Sequence, residues 1–265
     1  MKQTLTLVKL GGSLITNKSK PFSLRAEVLS GLVGQIKKAW DEDGMRMILG
    51  HGSGSFAHVP AEKYRTIEGR VGNQSVYGAA VVEDAASQLN RIVIGECLKQ
   101  NLPAVSVRPY DFLTLENGRV KAVNLDNLLT SLDQGFLPVV YGDVVLDTKN
   151  GFTIWSTERV LNLLAEEMVK SGEEVTKVIH CGETDGFLAG DKVVEEINTK
   201  NLKEMKKHVG ATNGFDVTGG MLHKIEEAMV TARVGIESYI IGGNHGGNLY
   251  RAISGREFIG TRIRV

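Results

Sequence analysis

Short, wholly apolar runs alternate along this chain with longer stretches whose hydrophobic positions recur every three or four residues. The first pattern predicts buried strands and the second amphipathic helices. Strand-like runs fall at 5–10, 45–49, 104–107, 137–141, 177–180 and 238–241, and helical periods at 24–41, 74–100, 124–134, 158–171, 202–209 and 220–234. Apolar strands that alternate with helices imply a parallel sheet covered on both sides. The expected fold is therefore α/β: a three-layer α/β/α sandwich with a mostly parallel sheet. Glu116-Asn117-Gly118-Arg119 and Lys149-Asn150-Gly151-Phe152 interrupt the alternation, each with Asn-Gly between strand formers, the signature of a hairpin. A polar break at Ser171-Gly172-Glu173-Glu174 divides the chain into two expected lobes, 1–172 and 173–265, of one continuous domain.

The polar positions of interest lie where strands end. Val8-Lys9-Leu10-Gly11-Gly12-Ser13 runs from an apolar strand through a lysine into two glycines and a serine. Glycine lets the backbone turn and bring its N–H groups against a ligand, and successive N–H groups at a strand-to-helix turn form an anion nest. Lys9 adds a positive charge there. Neither G-x-x-x-x-G-K-[ST] nor G-x-G-x-x-G is present, and alone the loop is equally compatible with an ordinary turn. A second loop, Gly50-His51-Gly52-Ser53-Gly54-Ser55-Phe56-Ala57-His58, follows the next strand. Two such loops suggest two phosphate-bearing groups held face to face. A third element, Asp216-Val217-Thr218-Gly219-Gly220-Met221 followed by Lys224, offers donors and a charge at a helix N-terminus. Two lysines, three donor-rich loops and no candidate covalent nucleophile describe phosphoryl transfer by positioning and electrostatics.

The opening loop and the Asp216-Val217-Thr218-Gly219-Gly220-Met221-x-x-Lys224 block resemble the amino acid kinase superfamily, over nearly the whole chain. Within it the chain is most similar to the isopentenyl phosphate kinases. That similarity rests on Lys18 in Ile15-Thr16-Asn17-Lys18, on His58, on Leu89-Asn90-Arg91-Ile92-Val93, on Pro138-Val139-Val140-Tyr141-Gly142-Asp143-Val144 and on Gly260-Thr261-Arg262-Ile263. Fosfomycin kinases share the histidine, so a kinase for another phosphate or phosphonate is the alternative, with a non-catalytic nucleotide-binding regulator a further one. The chain departs from the family at Ser53 and Ala57, where glycines are usual, and at Ser156-Thr157-Glu158-Arg159, where Ser-Gly-Asp-Asp is usual. No role is carried over to Glu158.

The resemblance implies ATP as donor and Mg²⁺ held through its phosphates and water, with no metal ligated by the protein. Lys9, Lys18, His58 and Lys224 are the expected catalytic residues. Gly11, Gly12, Ser13, Thr184, Asp185, Gly186, Asp216, Thr218 and Gly219 join the two end lysines around ATP. Gly52, Gly54, Ser55 and His58 are expected to hold the acceptor phosphate, with Tyr77, Val81, Val140, Gly142, Asp143 and Ile154 around the rest of that molecule. His51 is expected to order its loop through a backbone hydrogen bond. The first lobe binds the acceptor and carries a dimer surface, and the second binds ATP. The helix at 74–100 shows small residues near its start and no conspicuous arginine or asparagine pair there for a carboxylate acceptor, which favours an apolar tail.

Composition narrows the class further. In 265 residues, 31 basic side chains balance 31 acidic ones, so neither a nucleic acid nor a membrane surface is the expected partner. A small molecule is. Cys97 and Cys181 sit in apolar contexts without ligand spacing and read as buried thiols. Residues 1–10 lack the apolar core of a signal peptide and no run approaches a membrane span, so a cytoplasmic enzyme is expected, and the resemblance implies a homodimer.

Overall fold

Strand Leu5–Leu10 is buried at every position, so neither of its faces meets water. Val8 and Leu10 enter one core, with helices Ala26–Asp43 and Ser75–Lys99 packed over it. Leu5 and Leu7 enter a second core on the opposite face, under helices Asp126–Asp133 and Thr157–Lys170. This is the period-2 alternation of a strand between two helical layers. The structure, a computed structural model, describes residues 3–17, 19–209 and 220–265.

The main sheet has eight strands in the order Glu196–Ile197, Gly260–Ile263, Glu237–Gly242, Val175–Gly182, Leu5–Leu10, Arg46–His51, Leu137–Tyr141 and Ala104–Ser106. All neighbours are parallel except Glu237–Gly242 with Gly260–Ile263. The three-layer α/β/α expectation holds. The sheet runs without interruption across residue 172, because Val175–Gly182 pairs directly with Leu5–Leu10. Glu173, in the polar break, is buried and paired with Arg46, which also reaches Asp133 at 2.9 Å.

A four-stranded sheet, in the order Arg119–Val123, Leu113–Glu116, Asp143–Asp147, Gly151–Trp155, is built from both expected hairpins. At the first, Asn117 and Gly118 have φ of 52° and 73°, the two positive angles a type I′ turn needs. Asp147 joins the two hairpins by accepting from the backbone N–H groups of Asn117, Gly118, Lys149 and Asn150. Strands Glu196–Ile197 and Gly260–Ile263 and helix Asn248–Ile253 were not legible as periodicity, and neither was helix Gly54–Lys63, which occupies most of the second glycine loop and contains Pro60. Helix Gly54–Lys63 forms because Phe56, Ala57 and Pro60 are buried, so packing overrides poor helix formers.

The two glycine loops touch backbone to backbone. A Cβ on Gly12 would lie 2.5 Å from the Gly54 nitrogen, and one on Gly52 would lie 2.7 Å from the Gly12 nitrogen. Gly54 has φ of 50°, and a Cβ there would meet Thr16 Oγ1 at 2.1 Å. Gly54→Ala should therefore cost about 2 kcal/mol or more through strain and collision. Gly31→Ala, in an exposed helical position with nothing within 4 Å of the added methyl, should stabilise by about 0.5–1 kcal/mol. Urea denaturation of both variants checks this, and a Gly54→Ala protein as stable as the parent would contradict the close contact.

Candidate active site

At the C-terminal ends of Leu5–Leu10, Arg46–His51 and Val175–Gly182 the sheet opens into a cavity of about 420 Å³. Such a position, beyond the carboxyl ends of parallel strands, is where open α/β sheets bind ligands. One end is lined by Lys9, Gly11, Gly12, Ser13, Gly182, Thr184 and Lys224, the other by Ala57, His58, Ala61, Val82, Ile154 and Trp155. The glycine junction lies between them, with Gly52 and Gly54 in the lining.

Lys9 is only 7% exposed, and its Nζ donates to Oε1 of Glu158, in the first turn of helix Thr157–Lys170. Ser156 caps that helix, accepting from the Arg159 N–H at 3.3 Å. Burial alone would raise the Glu158 carboxyl, but the charge and hydrogen bond of Lys9 outweigh it and hold the group below the usual carboxylate range. The pair fixes an ammonium at the strand end. Glu158 lines the cavity although the sequence pattern assigns it no role, and its partner lies 149 residues away along the chain.

Asp143 has the opposite fate. It is buried, its Oδ1 accepts from the Val144 N–H at 2.7 Å, and its Oδ2 has no partner among the described residues. Burial pushes the carboxyl up to about 8, against the Val144 hydrogen bond, with nearby Glu83 raising it further and Arg108 opposing. At neutral pH it is mainly a protonated carboxyl. Among the described residues no lysine is paired with it.

The expected site residues divide by where the backbone places them. Gly52, Gly54, His58, Gly142, Asp143 and Ile154 line the cavity, as do Lys9, Gly11, Gly12, Ser13, Thr184 and Lys224. The N–H of Gly11 is consumed by the Cys181 carbonyl at 2.8 Å and that of Gly52 by Leu10 at 2.9 Å, so neither serves a ligand. Ser55 is also committed: its N–H donates to Thr16 Oγ1 at 2.9 Å, and its hydroxyl lies 3.4 Å from the Ser23 carbonyl. Asp185 is held by His245 at 2.8 Å, and Gly186 backs onto Thr261; both lie outside the lining.

Three expected pocket residues are displaced. Tyr77 is 65% exposed, Val81 is half-buried outside the lining, and Val140 packs in the core beneath helices Asp126–Asp133 and Thr157–Lys170, also outside the lining. The helix presents Gly78, Ala79, Val82, Ala85 and Ala86 inward, which turns 77 and 81 away. Val82 takes the place expected of Val81. Lys18, Asp216, Thr218 and Gly219 lie outside the described residues.

His51 is a structural histidine. Its ring contacts the Gly52 carbonyl at 3.3 Å and Asn90 at 3.1 Å and stacks on Tyr141 with centroids 5.4 Å apart. Cys181, the thiol in the lining, is pushed up to about 12 by burial and is no nucleophile near neutrality. Cys97 is likewise a buried free thiol. No helix among the described residues is long and apolar enough to cross a membrane.

Comparison with known proteins gives a consistent picture. The amino acid kinase family model matches residues 4–242. The chain is 30% identical to isopentenyl phosphate kinase of Methanocaldococcus jannaschii over 98% of both chains. It is 31% identical to isopentenyl phosphate kinase of Methanothermobacter thermautotrophicus, again over 98% of each. Among solved structures, one of an isopentenyl phosphate kinase superposes with a TM-score of 0.80 at 28% identity, covering 98% of this chain and 100% of that one.

The Asp143 carboxyl carries a signed pH dependence. Its folded-state pKa of about 8 lies above the ordinary aspartate value of 3.8. Between those limits the folded protein keeps a proton that the unfolded chain releases, so the contribution of this residue to stability falls as pH rises. Asp143→Asn removes the titration. Relative to the parent, its thermal midpoint should rise steadily from pH 5 to pH 8; parallel pH profiles would contradict the protonated carboxyl.

Proposed function

The chain belongs to the amino acid kinase family, and from that membership we propose that it transfers the γ-phosphoryl group of ATP to isopentenyl phosphate, releasing ADP and isopentenyl diphosphate. One observation supports the choice of acceptor most: the end of the cavity that carries His58 is walled by Ala57, Ala61, Val82, Ile154 and Trp155. A histidine beside an apolar wall suits a phosphate with a short hydrocarbon tail, not an amino acid with two further charges. The isopentenyl phosphate kinases it resembles over its full length support the same acceptor.

Lys9 and Lys224, which share the cavity end with Gly12 and Ser13, would hold the β- and γ-phosphates. The nucleotide base and ribose would lie toward the Gly182–Thr184 turn. The acceptor lobe is then 1–172 and the nucleotide lobe 173–265. Magnesium would come as an ion carried by the nucleotide phosphates and water, and Glu158, the acid beside Lys9, is already occupied by that lysine. When bound it neutralises phosphate charge.

In the reaction an oxygen of the acceptor phosphate attacks the γ-phosphorus, a new P–O bond forms, and the bond to the ADP oxygen breaks. The attacking oxygen is already ionised at neutral pH, so no side chain must remove a proton. The protonated Asp143 suits this chemistry, since a carboxylate beside an acceptor dianion would repel it. Lys9, fixed by Glu158, meets the charge that develops on the transferring group without reorganising.

An ATP-consumption assay with isopentenyl phosphate, N-acetylglutamate and fosfomycin as separate acceptors tests the proposal. Turnover should appear with the first, and preference for either of the others would overturn the assignment. His58→Ala should lower kcat/KM for isopentenyl phosphate about a hundredfold, since one lost donor to a transferring or accepting oxyanion typically costs on the order of 3 kcal/mol. His58→Gln keeps a donor and should retain more activity. Ile154→Ala lengthens the apolar end, so kcat/KM for geranyl phosphate relative to isopentenyl phosphate should rise by about one to two orders of magnitude, at about 0.8 kcal/mol for each newly buried methylene. An unchanged ratio would place the tail elsewhere.

A further inference from the structure

His180 lies in strand Val175–Gly182, in register with Lys9 on one side and Ile240 on the other. Residues in register project from the same sheet face, so its imidazole rises beside the Lys9 side chain and lines the same cavity with Glu158 and Lys224. It is 4% exposed, and neither ring nitrogen has a hydrogen-bond partner among the described residues. A neutral imidazole always carries one N–H and one lone pair, and leaving both unmet in a buried place costs stability. His51 shows how this chain treats a buried histidine with a purely structural role, since both of its nitrogens are partnered and its ring is stacked. His180 is among the residues that line the cavity, the side from which a guest would approach the ring.

The charges around the ring say what that guest is. Burial, with the charges of Lys9 and Lys224, lowers the imidazole to about 4 against the opposing pull of Glu158, so it stays neutral through the physiological range. A third cation would compete for Glu158, whereas a neutral N–H adds a directed donor without doing so. We propose that His180 is a phosphate-binding residue, whose imidazole N–H donates to an oxygen of the nucleotide phosphates held between Lys9 and Lys224. The proposal deepens the kinase assignment and rests on it for the identity of the nucleotide.

The test compares His180→Phe, which keeps the volume and loses the hydrogen bonds, with His180→Gln, which keeps a donor. The folded stability of each is measured without ligand, together with the affinity for Mg²⁺ and a non-hydrolysable ATP analogue and the steady-state constants. His180→Phe should melt at or above the parent temperature, bind the analogue at least tenfold more weakly and lose at least tenfold in kcat/KM for ATP. Its KM for isopentenyl phosphate should stay within about twofold of the parent, and His180→Gln should recover part of the nucleotide affinity. Parental nucleotide affinity in His180→Phe would overturn the proposal, as would loss of the fold in both variants, which would make the ring a core element. Because analogue binding is read without turnover, a parent protein that binds nucleotide through His180 yet fails to phosphorylate isopentenyl phosphate would refute the acceptor assignment and leave this one standing.

Discussion

Everything at the active site depends on two backbones being able to touch. The loops that follow Leu5–Leu10 and Arg46–His51 leave adjacent parallel strands, whose axes lie about 5 Å apart. Side chains at Gly12, Gly52 or Gly54 would wedge these loops apart, since each Cβ would fall within 3 Å of backbone or side-chain atoms across the junction. Without Cβ atoms the loops close, and the lysine end and the His58 end become one cavity. The proposed in-line transfer between two phosphates needs that proximity more than it needs any single charged group.

Around the junction, two buried acids are treated in opposite ways. Glu158 is kept ionised by Lys9, and in turn holds that ammonium in place. Asp143, with one oxygen unpartnered among the described residues, is kept protonated by burial. Environments that drive titratable groups apart mark sites of chemistry. Here they give a cavity with an ammonium fixed by Glu158 at the Lys9 end and no negative charge from Asp143 at neutral pH where the proposed acceptor phosphate would sit. An ionised Asp143 would undo the electrostatic arrangement even with the glycine junction intact.

The parallel sheet was legible because its strands are unbroken apolar runs that stop at glycines or polar turns, and packing did not shift them by more than a residue or two at most ends. The glycine loops that line the cavity were legible for the same reason: Lys9 and Gly11-Gly12 stand at a strand end, where residue type and position coincide. Helix Gly54–Lys63 was hidden by its glycine start and by Pro60, which local propensity reads as loop. Glu158 and His180 were hidden differently. Each matters only beside Lys9: pairing Val175–Gly182 against Leu5–Leu10 brings His180 there, and packing helix Thr157–Lys170 over the same strand brings Glu158, contacts no local pattern announces. Tyr77 and Val81 missed the cavity through helical phase: Val82, at the inward position of the same period, lines it instead.

The most direct measurement is a crystal structure of the ternary complex with a non-hydrolysable ATP analogue, Mg²⁺ and isopentenyl phosphate. The analogue's γ-phosphate should face the acceptor phosphate across the Gly12–Gly54 junction, with Lys9 still paired to Glu158 and the isopentenyl tail against Val82 and Ile154. An acceptor bound away from that junction, or phosphates too far apart for in-line attack with Lys9 released from Glu158, would contradict the account.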